Sequence, residues 1–144
     1  MAKKKTVKKR PAKRKRPKPP LQLLLLAACD SVARDPGTGK PTLYGLFDVV
    51  WADSFPASGH FSVFAKIAGS GKYLIVVELV PPAGKALELG EATIQCKKAG
   101  HGHIHLAFAG KMFRRSGTYR IRLKSDGQTI GQPISIQVKK RPKK

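Results

Sequence analysis

Short apolar runs rich in valine, isoleucine, phenylalanine and tyrosine fill most of this chain, and glycine, proline or aspartate breaks them every few residues. That cadence restricts the fold more than any other feature. An amphipathic helix repeats its apolar residues every three or four positions over a long window, and no segment here keeps such a period. Alternation and turn punctuation instead predict eight strands, at about 21–29, 42–51, 60–68, 72–80, 90–97, 102–108, 118–125 and 129–138.

The separators agree. Asp35-Pro36-Gly37-Thr38-Gly39 lies between the first two strands, Gly69-Ser70-Gly71 joins the third to the fourth, and Pro81-Pro82-Ala83-Gly84 follows the fourth. Asp126-Gly127 joins the last two, and Asp-Gly suits the positive φ angles of a type I′ hairpin turn. Along that hairpin Tyr119, Ile121 and Leu123 alternate with Arg120, Arg122 and Lys124, and Ile134, Ile136 and Val138 alternate with Ser135 and Gln137. One face is buried and the other wet, as in packed antiparallel sheets. The expected fold is all-β, a two-sheet immunoglobulin-like β-sandwich of about eight strands over residues 21–138, with a barrel as the alternative.

Some strands are apolar on both faces. Leu23, Leu24, Leu25 and Leu26 are consecutive, as are Leu74, Ile75, Val76 and Val77. In the second strand Tyr44, Leu46 and Val50 share one face, and Leu43, Phe47, Val49 and Trp51 share the other. Either loops cover the outer faces, or a protein partner or second copy does.

Leu24-Leu25-Leu26 with Cys29-Asp30, then Asp35 and Thr38-Gly39-Lys40, then Gly45-Leu46-Phe47-Asp48 and Phe55-Pro56, resembles an uncharacterised bacterial family of small all-β proteins. Gly117-Thr118-Tyr119-Arg120, Asp126-Gly127 and Ile130-Gly131 fit the same pattern. The resemblance covers most of Leu21–Val138 and neither end. It implies the β fold and a cytosolic location, and carries no activity or site residue with it.

Charge divides the chain differently. Its 144 residues hold 29 Lys and Arg against 8 Asp and Glu, a formal net charge of +21. Eleven cations fall within residues 1–20 with no acid: Lys3, Lys4, Lys5, Lys8, Lys9, Arg10, Lys13, Arg14, Lys15, Arg16 and Lys18. Five more fall within residues 139–144. The segment between carries 13 basic and 8 acidic residues, a net of only +5. Self-repelling Lys, Arg and Pro cannot bury a core, so residues 1–20 and 139–144 are expected to be disordered until a polyanion neutralises them. The eleven arm cations are the candidate contacts to nucleic acid or another polyanion. No aromatic residue interleaves them, so base stacking is not offered and binding is expected to be non-specific. Arg120, Arg122 and Lys124 form a stripe on the wet face of one strand, which reads either as a solvated β face or as a second phosphate-contacting surface. Lys97, Lys98, Arg114 and Arg115 are candidates to lie near it.

Catalytic equipment is sparse. Gly71-Lys72 has Lys66 and Tyr73 where a phosphate loop needs Gly and Ser or Thr, and Gly39-Lys40 has Arg34 and Pro41. The eight acids are scattered, and no G-x-S-x-G occurs. His101-Gly102-His103-Ile104-His105 puts three imidazoles on one side of a strand, but the outer two would stand ~13 Å apart, too far to share one ion. His103 and His105 are the weak metal candidates that remain. Cys29 and Cys96 form no C-x-x-C pair and are expected as reduced, buried thiols, with a single inter-sheet bridge as the alternative. Leu26-Ala27-Ala28-Cys29 matches a bacterial lipobox, which would make Cys29 an acylated first residue. The apolar run before it is only eight residues long and contains Gln22, near the lower limit for a signal segment and far short of a membrane span.

The sequence thus points to a non-enzymatic binding module with no cofactor, cytoplasmic and nucleoid-associated, with basic tails on nucleic acid or another polyanion. An exported, membrane-anchored lipoprotein acylated at Cys29 and a metal-dependent enzyme using His103 and His105 are the alternatives.

Overall fold

A computed structural model describes Pro11 and residues 20–143, apart from the side chains of Lys98 and Ala99. The eleven basic arm residues lie outside the described residues. Seven strands follow in order: β1 (Gln22–Arg34), β2 (Pro41–Leu46), β3 (Val49–Ala52), β4 (Ala57–Val80), β5 (Leu87–Phe113), β6 (Gly117–Ser125) and β7 (Gln128–Lys140). No helix occurs among the described residues. The expectation of an all-β fold holds. The strands form one hydrogen-bonded sheet in the order β2-β1-β4-β6-β7-β3, with β5 paired to β4.

Two expected boundaries are corrected. Gly69-Ser70-Gly71 does not end a strand. β4 runs straight through it, and β5 runs through the expected gap between 97 and 102, so four expected strands are two. Their ladder extends from Ala57 opposite Phe113 to Leu79 opposite Leu87, with a register shift between Gly69 and Gly71. The glycines permit a sharp bend there without surrendering the ladder, as a β-bulge does; Gly71 has φ 107°. The bend folds the hairpin upon itself. A Cβ on Gly102 would lie 2.6 Å from Ile94 Cγ1, and one on Gly90 would lie 3.2 Å from Phe108 Cε1. The two halves of β5 therefore face each other. The first half of β4 lies between β1 and β5, and the second half between β6 and β5.

The expected strand 42–51 is instead two. At Phe47-Asp48 the chain leaves β1 and joins β7: Phe47 N donates to Ala28 O at 3.3 Å, and Gln137 N donates to Asp48 O at 2.7 Å. β3 then runs parallel to β7. Tyr44 and Leu46 consequently share no face with Val50. β7 also reaches into the expected tail. Lys139 and Lys140 pair with Trp51 and Ala52, and Arg141 N donates to Ala52 O at 2.8 Å.

Both predicted turns at the ends of the chain form. Asp35 Oδ1 accepts from Gly37 N at 2.9 Å, Thr38 N at 2.7 Å and Thr38 Oγ1 at 3.0 Å. These bonds, the one to Thr38 N first, hold the Asp35 carboxyl below its ordinary pKa. Asp126 and Gly127 take φ of 50° and 75°, the positive pair that a type I′ turn requires.

Alternation along each strand builds one core. Phe61, Val63, Ala65 and Ile67 from the first half of β4 join Tyr73, Ile75, Val77 and Leu79 from the second, with Tyr119, Ile121 and Leu123 from β6 and Ile136 and Val138 from β7. Phe113 bridges the ends, its ring centroid 6.4 Å from Phe61 and 5.1 Å from Tyr119. Each such side chain fully buried is worth about 1.5–3 kcal/mol.

Candidate functional site

The three histidines fall on one exposed row of β5. His101, His103 and His105 stand opposite Ala68, Lys66 and Phe64 of β4, on the side away from the core. Phe64, Ser62 and Cys29 point to the same side yet are buried. His105 Nε2 lies 3.1 Å from Ser62 Oγ. The His103 ring stacks on Phe64 at 5.7 Å and 28°, and its Nε2 meets the Arg34 guanidinium. Arg34 ends β1, past the last pairing of that strand with β4. The outer end of the β1–β2 hairpin therefore lies over this face.

Arginine can only donate, so Nε2 of His103 accepts, and the ring is neutral in this contact. Burial, then Arg34, then Lys66 push the His103 pKa below its ordinary value. Arg34 thus occupies one of the two ring nitrogens through which His103 could hold a metal. Among the described residues no three of His, Cys, Asp or Glu come together to hold an ion. Sequence spacing identified the histidine row; nothing in it signalled Arg34 or Phe64, which reach the row through the fold.

The cationic stripe lies where alternation placed it, on the outer side of β6. Glu78 on β4 stands in it. Arg122 Nε donates to Glu78 Oε2 at 2.6 Å, and Lys124 Nζ lies 3.7 Å from Oε1. Arg120 lies opposite Val80 and Ser135. Two of the three stripe cations thus share an acid that only the β4–β6 register brings to them. Arg114 and Arg115 are in the β5–β6 turn. At the far edge Lys139 Nζ sits 5.7 Å from the Trp51 ring centroid, and Arg141 Nε lies 3.5 Å from Asp53 Oδ1. Lys139 and Arg141 of the basic tail are thus already engaged.

Cys29 and Cys96 are free, buried thiols. Burial, aided by the neighbouring Asp30 carboxylate, pushes the Cys29 pKa up. Cys29 sits mid-strand, opposite Ser62 on one side and Leu46 on the other. The apolar outer faces are only partly covered: Leu24, Leu25, Tyr44, Leu46, Trp51 and Leu74 are exposed. Among the described residues no helix is long and apolar enough to cross a membrane.

A family model described as a family of unknown function, DUF6941, matches residues 24–139. The chain belongs to this family. The DUF6941 segment begins inside β1 and ends inside β7, so it takes in all but the outermost residues of the sheet. The basic arm at 1–20 lies outside it, as does most of the C-terminal basic run. No curated protein matches the chain.

Proposed function

We propose that this DUF6941 chain is a non-enzymatic binding module whose basic ends tether it to nucleic acid or another polyanion. Its sheet, folded as a two-layer immunoglobulin-like sandwich, would meet a separate protein partner or second copy through its exposed apolar residues. Charge segregation carries the proposal: eleven cations and no acid fall within residues 1–20, outside the family segment. Lys3, Lys4, Lys5, Lys8, Lys9, Arg10, Lys13, Arg14, Lys15, Arg16 and Lys18 are the proposed phosphate contacts. Arg120 is the stripe cation best able to add to them, because Arg122 and Lys124 already share Glu78. A cytoplasmic, nucleoid-associated location follows from such a partner.

Acylation at Cys29 fits less well. Cleavage before Cys29 would remove the part of β1 that pairs with β4 from Gln22 to Ala28. It would also demand exposure of a residue whose accessible surface is 0%. A metal-dependent enzyme built on His103 and His105 would have to bind through Nδ1 of His103 or displace Arg34 from Nε2, and no third His, Cys, Asp or Glu joins them among the described residues.

Salt titration of DNA binding tests the tether. If about six arm cations engage phosphate, log affinity falls with log salt at a slope of about −5, roughly a thousandfold between 50 and 200 mM. Two duplexes of unrelated sequence should bind alike. A slope near zero, or a strong preference for one duplex, would remove phosphate contact as the basis of binding.

A further inference from the structure

A cavity of about 660 Å³ opens where the β4–β5 loop meets the β5–β6 turn, within the size range of small-molecule sites. Pro81, Leu87, Met112 and the buried ring of Tyr119 give it an apolar floor. Lys85, Arg114 and Arg115 stand around that floor, and no acid lines it. None of the three has an ion-pair partner among the described residues. Glu88, the nearest acid in sequence, lines a neighbouring cleft together with Lys111.

The turn beside the cavity is held from within. Tyr119 Oη donates to Arg115 O at 2.8 Å and accepts from Arg115 N at 3.3 Å, pinning the turn that carries both arginines. Gly117 adopts φ 139°, and a Cβ there would come within 2.7 Å of Pro82 Cγ. Only glycine allows the turn and the loop to approach so closely. The turn backbone and its approach to Pro82 are therefore set before anything occupies the cavity, which lowers the cost of binding.

We infer that this cavity binds an amphipathic anion, a carboxylate carried on an extended apolar body. The head group would meet Arg114, Arg115 and Lys85, with arginine's planar fork suited to a carboxylate. The body would cover Leu87, which is 48% exposed, and Met112. A small inorganic anion would leave that floor wet. A neutral apolar molecule would leave three like charges uncompensated beside it. A nucleic acid strand would satisfy the charges and not the floor. The site uses none of the arm residues, so it stands or falls independently of the tether.

Dodecanoate is the probe, titrated calorimetrically into the full chain at constant salt, with dodecanol matching its body and acetate its head. One saturable equivalent of dodecanoate per chain is expected, with dodecanol and acetate each binding at least about tenfold more weakly. Combining Arg114→Gln with Arg115→Gln should weaken dodecanoate roughly tenfold or more, and Leu87→Gln should weaken it as well. The charge-matched pair Lys40→Gln and Lys97→Gln, exposed and away from the cavity, should bind as the unaltered chain does. Binding of dodecanol equal to dodecanoate, an unchanged affinity in the arginine pair, or many equivalents bound without regard to these substitutions would each overturn the assignment.

Discussion

His103 is held neutral against a cation, and that choice makes it sensitive to acid. Its folded-state pKa is lowered, by burial and then by Arg34 and Lys66. The unfolded chain therefore takes up the proton first as pH falls. The resulting contribution to stability is complete above about pH 6.5, the unfolded value, and is lost as pH drops through the lower folded value. The denaturation midpoint should fall between about pH 7.5 and about pH 5.5, and His103→Gln should flatten part of that fall. Identical pH dependence in the two proteins would show that His103 has no share in it. Cys29 makes a second residue-scale prediction. A thiol that is buried and raised in pKa is a poor nucleophile. A thiol-specific reagent should leave Cys29 and Cys96 unmodified in the native protein and label both after denaturation. Prompt labelling of Cys29 in the native state would contradict its burial.

At the scale of elements the β4–β5 hairpin decides the fold, and its bend depends on glycine. Gly102→Ala would drive a methyl into Ile94 and Cys96 Sγ. Overpacking of this kind costs about 1–3 kcal/mol, readable as a lower denaturant midpoint with an unchanged slope. A neutral result would mean that the two halves of β5 do not press together. The same bend marks the limit of what the residues could announce. Gly-Ser-Gly is a good turn and an equally good bulge, and local composition does not tell them apart. Strands of 24 and 27 residues also far exceed the usual five or six, so splitting them was the natural expectation. Where the signal was chemical rather than topological it was legible: the Asp35 turn, the Asp126-Gly127 turn and the alternation of β6 each stand where the sequence put them. The stripe on β6 was legible as a face, but Glu78 within it was not. Cross-strand neighbours depend on register, which nothing in either strand alone encodes.

For the whole molecule, most of the excess charge and the family segment occupy different parts of the chain. The family segment holds the strands, the core and a modest positive charge, while most of the excess charge lies outside it. A net charge so far from zero promotes attachment to polyanions and repels copies of the same chain. Attachment through the ends would leave the sheet's exposed apolar residues available to a partner, which gives the two parts separable roles.

Comparing the full chain with one lacking residues 1–20, in duplex DNA binding at low and at physiological salt, tests that division most directly. The full chain should bind at least about tenfold more tightly at low salt and lose its advantage as salt rises. The shortened chain should keep its cooperative unfolding while showing only weak binding and a shallow salt dependence. Equal affinity and equal slope in the two proteins would contradict the account.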